Sequence, residues 1–206
     1  MTGPNMLKIK PTLRFALTAL LALNIVTVNA EETTYLHIGT LLADADKSPL
    51  TEQTLVIKNK QIVRVEDGYI EPNSEESLAQ IIDLKDKFVL PGLMDMHVHL
   101  TSDATRHGYK LLEVSLPRAA ITCVKHAKST LDAGFTTVRN VGAPGFADVA
   151  LRDAINAGDV VGPRMFVAGP SLGVTGGHCD SNLLPYEYDN YSEGVADGPW
   201  EVRKKV

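Results

Sequence analysis

The residues best suited to chemistry are His97 and His99, in the segment PGLMDMHVH at residues 91–99. A β-strand presents alternate side chains on one face, about 7 Å apart along the strand. Two imidazoles on one face can converge on one cation, and imidazole suits zinc and similar divalent metals. Asp95 falls on the same predicted face and could orient a ligand through a hydrogen bond. We therefore predict a divalent-metal site at His97 and His99 supported by Asp95; the alternative is two ordinary strand histidines.

The other face of this predicted strand is apolar, with Met94, Met96, Val98 and Leu100. We expect these four side chains to pack beneath helices. The histidine face becomes polar toward its C-terminal end, where active sites of parallel α/β barrels lie.

The chain that follows the Pro-Gly turn alternates between strand and helix. Helical patterns end at Gly134 and Gly158, and glycine is the residue that most often closes a helix. They separate three β-rich segments, at about 93–99, 135–140 and 164–169. Strands that alternate with helices at this spacing predict βα units and a parallel sheet.

The preceding segment, residues 31–91, has the pattern of short strands. A hairpin is predicted around Asn59-Lys60, because asparagine tolerates positive φ. A second strand pair is predicted in 80–92, with its turn near Lys85-Asp86. Several short strands with turn signals favour a small β-sandwich or barrel. The predicted fold class is α/β: an incomplete (β/α)8 barrel with its first three strands over 92–206, preceded by a small β-sandwich.

Residues 1–30 have the pattern of a secretory signal peptide. Basic residues precede an apolar run of 14 residues, Phe15 to Val28, and small residues end at Ala30. The run is short for a membrane span, which needs about 20 residues. We predict cleavage after Ala30 and an exported protein, periplasmic or extracellular; the alternative is a retained N-terminal anchor.

The composition of the whole chain is that of an ordinary globular protein, with 44% hydrophobic and 22% charged residues and a formal net charge of -5. No basic stripe suggests a nucleic-acid partner, and no membrane contact is expected after signal cleavage. Export would permit a disulfide between Cys123 and Cys179, but two cysteines do not establish one. Cys123 lies in a helical pattern, which favours a small buried apolar residue.

Longer motifs support a resemblance to a known family. The segment LPGLMDMHVHL resembles the first barrel strand of the amidohydrolase superfamily. Residues 119–142 and 162–180 are similar to its exported prolidase-like branch, the Xaa-Pro and Xaa-Arg dipeptidases, near imidazolonepropionase. The resemblance covers roughly residues 34–206. It implies a metal-dependent hydrolase in which His97 and His99 bind a divalent metal, usually zinc, in a centre that can be binuclear.

The resemblance also implies ligands that have no convincing match here. In the family a carboxylated lysine bridges two metals, two later histidines complete the site, and a late aspartate handles the catalytic proton. No catalytic residue is therefore assigned within this chain. A full (β/α)8 barrel takes about 250 residues, so we expect this chain to be the N-terminal portion of one and to be inactive alone.

Three further residues are candidates for the substrate pocket. His178, in TGGHCD, lies in the loop after the third predicted strand; the alternative is a loop histidine satisfied by the backbone. Arg139 could contact a carboxylate or form a structural ion pair, and His107 lies just past the metal strand. The sequence departs from the family at Cys179, where glycine is common, and at Asn140, where aspartate is frequent.

Two functions remain open on these residues. The first is a metal-dependent amidohydrolase that cleaves amide or peptide C–N bonds in a small-molecule or dipeptide substrate, where the metal would lower the pKa of bound water. The second is a non-catalytic metal-binding module or remnant. The resemblance is compatible with a homo-oligomer of the complete enzyme.

Overall fold

The computed structural model describes residues 32–76 and 78–206. The predicted signal peptide at 1–30 lies outside the described residues. The chain divides into two compact units: one takes its described residues from Met1–Gly39 and Glu52–Asp86, the other is Thr40–Thr51 with Lys87–Val206. In the described part of the chain, no helix has the length and apolar character needed to span a membrane.

The first sheet has four strands in the order β3-β2-β1-β4. Its strands are β1 (Thr33–Leu41), β2 (Leu50–Lys58), β3 (Gln61–Asp67) and β4 (Gln80–Val89). The predicted hairpin is confirmed, since β2 pairs antiparallel with β3 across Asn59 and Lys60. These two residues have φ of 49° and 66°, the positive values that a two-residue hairpin turn of the primed type requires.

The second predicted strand pair is wrong. Gln80–Val89 is one continuous strand, without a turn at Lys85-Asp86. The Asp83 carboxylate accepts a hydrogen bond from the Lys85 N–H at 3.0 Å within the extended chain. A β-sandwich needs two facing sheets, and the described residues of 32–91 contribute strands to only one; the sandwich therefore stays a prediction.

The second sheet is parallel, as predicted, with the order β5-β6-β7. Its strands are β5 (Leu93–Val98), β6 (Phe135–Asn140) and β7 (Arg164–Val167). The helices are α1 (Leu116–Asp132), α2 (Ala147–Ala157) and α3 (Pro199–Lys205). Short 3-10 turns are formed by Ser74–Glu76, Gly108–Glu113, Pro144–Phe146 and Tyr186–Tyr188.

Both long helices end at the glycines that the sequence indicates. Gly134 follows the last residues of α1 with φ of 93°, and Gly158 caps α2 with φ of 85°. At the other end of α1, Pro117 lies in the first turn and the Ser115 hydroxyl accepts a hydrogen bond from the Arg118 N–H. Proline and serine are both favoured in these positions, because the first N–H groups of a helix have no partner within it.

The core of the second unit lies between the parallel sheet and helices α1 and α2. It consists of Leu100, Cys123, Ala127, Val138, Leu151 and Met165. Cys123 is 1% exposed, which confirms the expected small buried residue, and burial raises the pKa of its thiol. Cys123 and Cys179 are both free thiols, so the disulfide that the sequence left open is not formed.

Candidate functional site

The two predicted metal ligands lie together at the C-terminal end of β5. The rings of His97 and His99 have centroids 5.4 Å apart and planes inclined at 72°, and both residues are exposed. Bonds from zinc to imidazole nitrogen are about 2.0–2.1 Å, so rings at this separation can share a cation. Within 32–76 and 78–206 no group of three or more His, Cys, Asp or Glu could hold a metal. The described residues therefore offer two candidate ligands, His97 and His99.

A bulge in β5 changes which side chains share a face with the histidines. Asp95 pairs with Val138 and Val98 pairs with Asn140, so three steps along β5 match two along β6. In-register neighbours in a sheet share a face, and Val138 and Asn140 are both fully buried. Asp95 therefore lies on the helix-covered face with Val98. The strand-parity argument that placed Asp95 on the His97 face is wrong, because it assumed a regular strand.

The same bulge divides the predicted apolar face. Val98 and Leu100 pack against the helices as expected. Met94 and Met96 are instead 70% and 41% exposed. Met94 pairs with Thr137, which puts it on the face opposite Asp95, and Met96 lies within the bulge. The expectation that all four side chains pack beneath helices is wrong for the two methionines.

Two side chains hold the peptide bond that precedes His97. The His97 N–H donates to the Asp95 carboxylate at 2.9 Å. The Met96 carbonyl accepts a hydrogen bond from Nε of Arg139 at 2.7 Å. Both polar groups of the Met96–His97 peptide are thus held at the bulge, where the regular ladder is interrupted. Asp95 acts on the main chain of His97; its support of a ligand ring, and contact of Arg139 with substrate, stay predictions.

The His99 ring is held by a carbonyl from the loop after β6. Its Nδ1 lies 3.4 Å from the carbonyl oxygen of Gly142, which is longer than most N–H···O hydrogen bonds. A carbonyl oxygen only accepts hydrogen bonds, so this contact is a hydrogen bond in the tautomer that carries its proton on Nδ1. The other nitrogen, Nε2, is then free to bind a cation, as in metal-binding histidines generally.

Asn140 and Asp148 form a buried hydrogen-bond network beneath the histidines. The Asn140 side-chain oxygen accepts the Leu100 N–H at 2.8 Å. Its Nδ2 donates to the Gly142 carbonyl and to the Asp148 carboxylate, both at 3.0 Å. The same carboxylate accepts the Gly169 N–H at 3.1 Å. Since these residues follow or end β5, β6 and β7, the network ties the C-terminal ends of all three strands together.

Sequence reasoning missed this network, although one signal was available. Asp148, Leu151 and Ile155 are spaced three and four residues apart, and this is the spacing of one helix face. Leu151 belongs to the core and Ile155 packs against it, so the pattern puts an aspartate on a buried face. A buried carboxylate needs hydrogen-bond partners, which would have directed attention to Asn140.

His126 also differs from expectation. The sequence predicted a surface position on a helix, but the residue is half-buried and its Nδ1 lies 2.8 Å from the Leu100 carbonyl. Together with Asn140, this histidine engages both main-chain groups of Leu100. Both main-chain polar groups of Leu100, the residue that follows His99, are therefore in contact with side chains.

A cavity of about 540 Å³ lies beside His99. Its lining includes Gly142, Ser171, Cys179, Tyr191 and Glu193, all within the second unit. Cys179, and not its neighbour His178, contributes to this lining. His178 and His107 are exposed on loops, so a place in the substrate pocket stays a prediction for both.

A second cavity, of about 600 Å³, shares its Thr101, Leu116 and Pro144 walls with the first. It adds two cationic side chains, Arg106 and Arg118. The two cavities together provide a concave surface with apolar walls and a few charged groups, which is typical of small-molecule sites.

One carboxylate organises the loop that borders these cavities. Asp180 accepts hydrogen bonds from the N–H groups of Ser192, Gly176 and Ser181. These bonds, that from Ser192 first, lower the pKa of Asp180, so the side chain remains charged at neutral pH and holds both ends of the loop.

Comparison with known proteins identifies the family. Residues 88–206 match the model of the amidohydrolase family. Ochratoxinase from Aspergillus niger is 29% identical over 203 residues, a match that covers 88% of this chain and 40% of that protein.

Solved structures give the same assignment. An Xaa-Pro dipeptidase with bound methionine in its active site matches with a TM-score of 0.72 and 37% identity, over 84% of this chain and 44% of that one. A prolidase in complex with N-methylphosphonate-L-proline matches with a TM-score of 0.60 and 32% identity, over 71% of this chain and 34% of that one.

The chain thus spans less than half the length of each of these relatives. The matches confirm the resemblance to the amidohydrolase superfamily and its prolidase-like branch. Because the family model takes in more than half of the chain, the chain belongs to the amidohydrolase family.

Proposed function

We propose that this chain supplies part of the metal centre and substrate pocket of a metal-dependent hydrolase that cleaves C–N bonds, with dipeptides as the substrate class. The observation that carries the proposal is the pair of facing imidazoles, His97 and His99, at the C-terminal end of a parallel strand. Membership of the amidohydrolase family supports hydrolysis, and the 37% identity to an Xaa-Pro dipeptidase supports a dipeptide.

The proposal includes the surrounding architecture. β5, β6 and β7 would be the first three strands of a (β/α)8 barrel, and residues 31–91 would belong to a small composite β-domain. The parallel order of the three strands supports the first part. Other strands of such a barrel would add the further ligands that a cation needs. Removal of residues 1–30 as a signal peptide, and export, are part of the same proposal.

The residues of the chain would act mainly by binding and orientation. His97 and His99 would hold the cation, which we expect to be zinc, through ring nitrogens. The Gly142 carbonyl would keep the His99 ring turned with Nε2 outward. Asp95 and Arg139 would fix the main chain at His97. When bound, a divalent cation polarises a substrate carbonyl and lowers the pKa of water. The cavity beside His99 would receive the substrate.

A non-catalytic metal-binding module or remnant is the second candidate. The observation in its favour is that residues 32–76 and 78–206 contain no cluster of three or more metal-binding side chains. Two imidazoles bind a cation weakly, and metal sites that do chemistry normally have three protein ligands.

Zinc titration tests the metal centre. We expect the chain to bind zinc measurably by isothermal titration calorimetry, and His97→Ala and His99→Ala each to weaken binding at least about tenfold, since each removes a ligand. His37→Gln is the matched control, because His37 is buried in the other unit and its Nε2 lies 2.9 Å from the Ile70 carbonyl. Equal affinity in all four proteins would refute the site.

Dipeptide hydrolysis tests whether the chain is active by itself. An Xaa-Pro dipeptide would be offered to the chain with zinc present, and product measured with and without a chelator. Turnover that is lost in His97→Ala and on chelation supports the hydrolase. Zinc binding without turnover is expected from either candidate, because the further ligands of the hydrolase would lie on other strands of the barrel.

A further inference from the structure

We propose that Asn140 and Asp148 are positioning residues that set the tautomer of His99, and so direct its Nε2 toward the metal. The functional role of the tautomer, to direct Nε2 toward a metal, rests on the proposed metal centre. The physical content of the inference, the position of a proton on His99, belongs to the metal-free chain and can be tested there.

The first step concerns the carbonyl oxygen of Gly142, which faces two hydrogen-bond donors. Asn140 Nδ2 lies 3.0 Å from the oxygen and His99 Nδ1 lies 3.4 Å from it. A carbonyl oxygen has two lone pairs and can accept both bonds. The Asn140 bond holds the carbonyl in the direction that the His99 ring requires.

The second step is the orientation of the Asn140 amide. Its oxygen receives the Leu100 N–H, so its nitrogen must face Gly142 and Asp148. Asp148 strengthens this choice because its carboxylate can only accept from the amide nitrogen. A reversed amide would put oxygen against oxygen at 3.0 Å and leave the Leu100 N–H facing another N–H group. The network therefore admits one amide orientation.

The third step is rigidity. Asn140 and Asp148 are both 0% exposed. The Asp148 carboxylate also accepts the N–H groups of Val149, Ala168 and Gly169, so it cannot turn away without breaking several bonds. No buried side-chain nitrogen or oxygen in the described part of the chain lacks a partner. A fully satisfied buried network specifies one arrangement.

In the described part of the chain, no side-chain hydrogen bond joins His97 to Asn140 or Asp148. The His97 N–H donates to the Asp95 carboxylate, the carbonyl of the same peptide accepts from Arg139, and the His97 ring faces that of His99. The two histidines should therefore respond differently to changes at Asn140 and Asp148. His97 serves as an internal control within the same molecule.

The test is the nitrogen chemical shifts of the histidine rings, measured by NMR on the metal-free, 15N-labelled chain at about pH 8. This is above the ordinary histidine pKa of about 6.5, so neutral tautomers are compared. In the wild type we expect His99 to carry its proton mainly on Nδ1. In Asn140→Ala and in Asp148→Asn we expect the proton to move mainly to Nε2, with His97 unchanged. Asp153→Asn, an exposed carboxylate change on the same helix, is the control and should alter neither ring.

A wild-type His99 protonated mainly on Nε2 would overturn the inference. So would an unchanged His99 tautomer in a variant whose backbone spectrum shows it folded. Two variants are used so that one remains informative if the other fails to fold; if both fail, a wild-type His99 protonated mainly on Nε2 still overturns the inference.

Zinc affinity is a second, independent test of the positioning role of Asn140 and Asp148. We expect each variant to weaken zinc binding about 10-fold to 100-fold, as is usual when the hydrogen-bond partner of a metal ligand is removed. If the wild-type chain shows the predicted tautomer and the variants lose it, but no form binds zinc, the metal centre is refuted and the positioning role stands. If zinc binds at His97 and His99 with unchanged affinity in both variants, the positioning role is refuted and the metal centre stands.

Discussion

Replacing Asn140 by aspartate should make the stability of the chain depend strongly on pH. The side chains have nearly the same size, so packing changes little. The substitution puts a second carboxylate about 3 Å from that of Asp148, where the amide nitrogen lies now at 3.0 Å. Both positions are fully buried, so water cannot screen the pair.

The loss of folding free energy is set by the cheaper of two outcomes: both carboxylates stay charged, or one of them takes up a proton. Two charges 3 Å apart repel by about 5 kcal/mol at an effective dielectric constant of about 20. Alternatively, one carboxyl group takes up a proton, which costs about 1.4 kcal/mol for each pH unit above its ordinary pKa of about 4. At pH 7 protonation is the cheaper route, at about 4 kcal/mol; at pH 5 it costs about 1.4 kcal/mol.

The sign follows from proton linkage. The folded variant binds one proton more than the unfolded variant, because repulsion raises the pKa of one carboxyl group of the pair in the folded state. That group stabilises the fold fully below its unfolded pKa, and the stability is lost as the pH rises toward its folded pKa. The deficit relative to wild type should grow by about 1.4 kcal/mol per pH unit from about pH 4 and level off near pH 8.

Urea unfolding followed by far-UV circular dichroism from pH 5 to pH 8 measures this deficit. The matched control is Asn182→Asp, at an exposed asparagine whose amide donates to the Gly177 carbonyl at 3.3 Å; its deficit should be small and nearly constant. A deficit in Asn140→Asp that does not change with pH, or none at all, would refute the buried pair.

Three further changes test the surroundings of the histidines. Gly142→Ala should destabilise the chain by about 1–3 kcal/mol, since its Cβ would lie 1.9 Å from the Ser171 hydroxyl oxygen; urea unfolding measures this, and Ser171→Gly in the same chain should restore much of the loss. Arg139→Met should weaken zinc binding in calorimetry without unfolding the chain, because the bond to the Met96 carbonyl is lost; unchanged affinity would favour a substrate contact instead. The low pKa of Asp180 predicts that the loop around it is stabilised above the ordinary aspartate value of about 3.9 and loosens as the pH falls through the lowered pKa; hydrogen exchange of the Ser192 N–H measures this, and loosening near pH 6 would contradict it.

The parallel sheet and the pairing of His97 with His99 could be predicted from sequence, because the signals for both lie in short segments of the chain. Alternation of strand and helix, with Gly134 and Gly158 at the helix ends, predicted the parallel sheet. The spacing of His97 and His99 predicted that their rings would meet. Each of these inferences depends on a pattern within one helix or strand, or at its end.

The errors arose where the chain contacts itself over long distances. A bulge is decided by how β5 registers against β6, about 40 residues later, so strand parity alone misplaced Asp95 and Met94. The position of His126 depends on the Leu100 carbonyl, 26 residues earlier. Periodicity within one segment contains no information about either contact.

The sequence by itself determined which residues can do chemistry here: two imidazoles at alternate positions near a strand end, in a chain of the amidohydrolase family. Only the tertiary structure decided how those imidazoles are held. Asn140 meets Leu100 from 40 positions away and Asp148 meets Gly169 from 21 positions away, because parallel strands bring their C-terminal ends to one edge of the sheet. Hydrogen bonds formed at that edge depend on the folded arrangement, and no spacing along the chain specifies them.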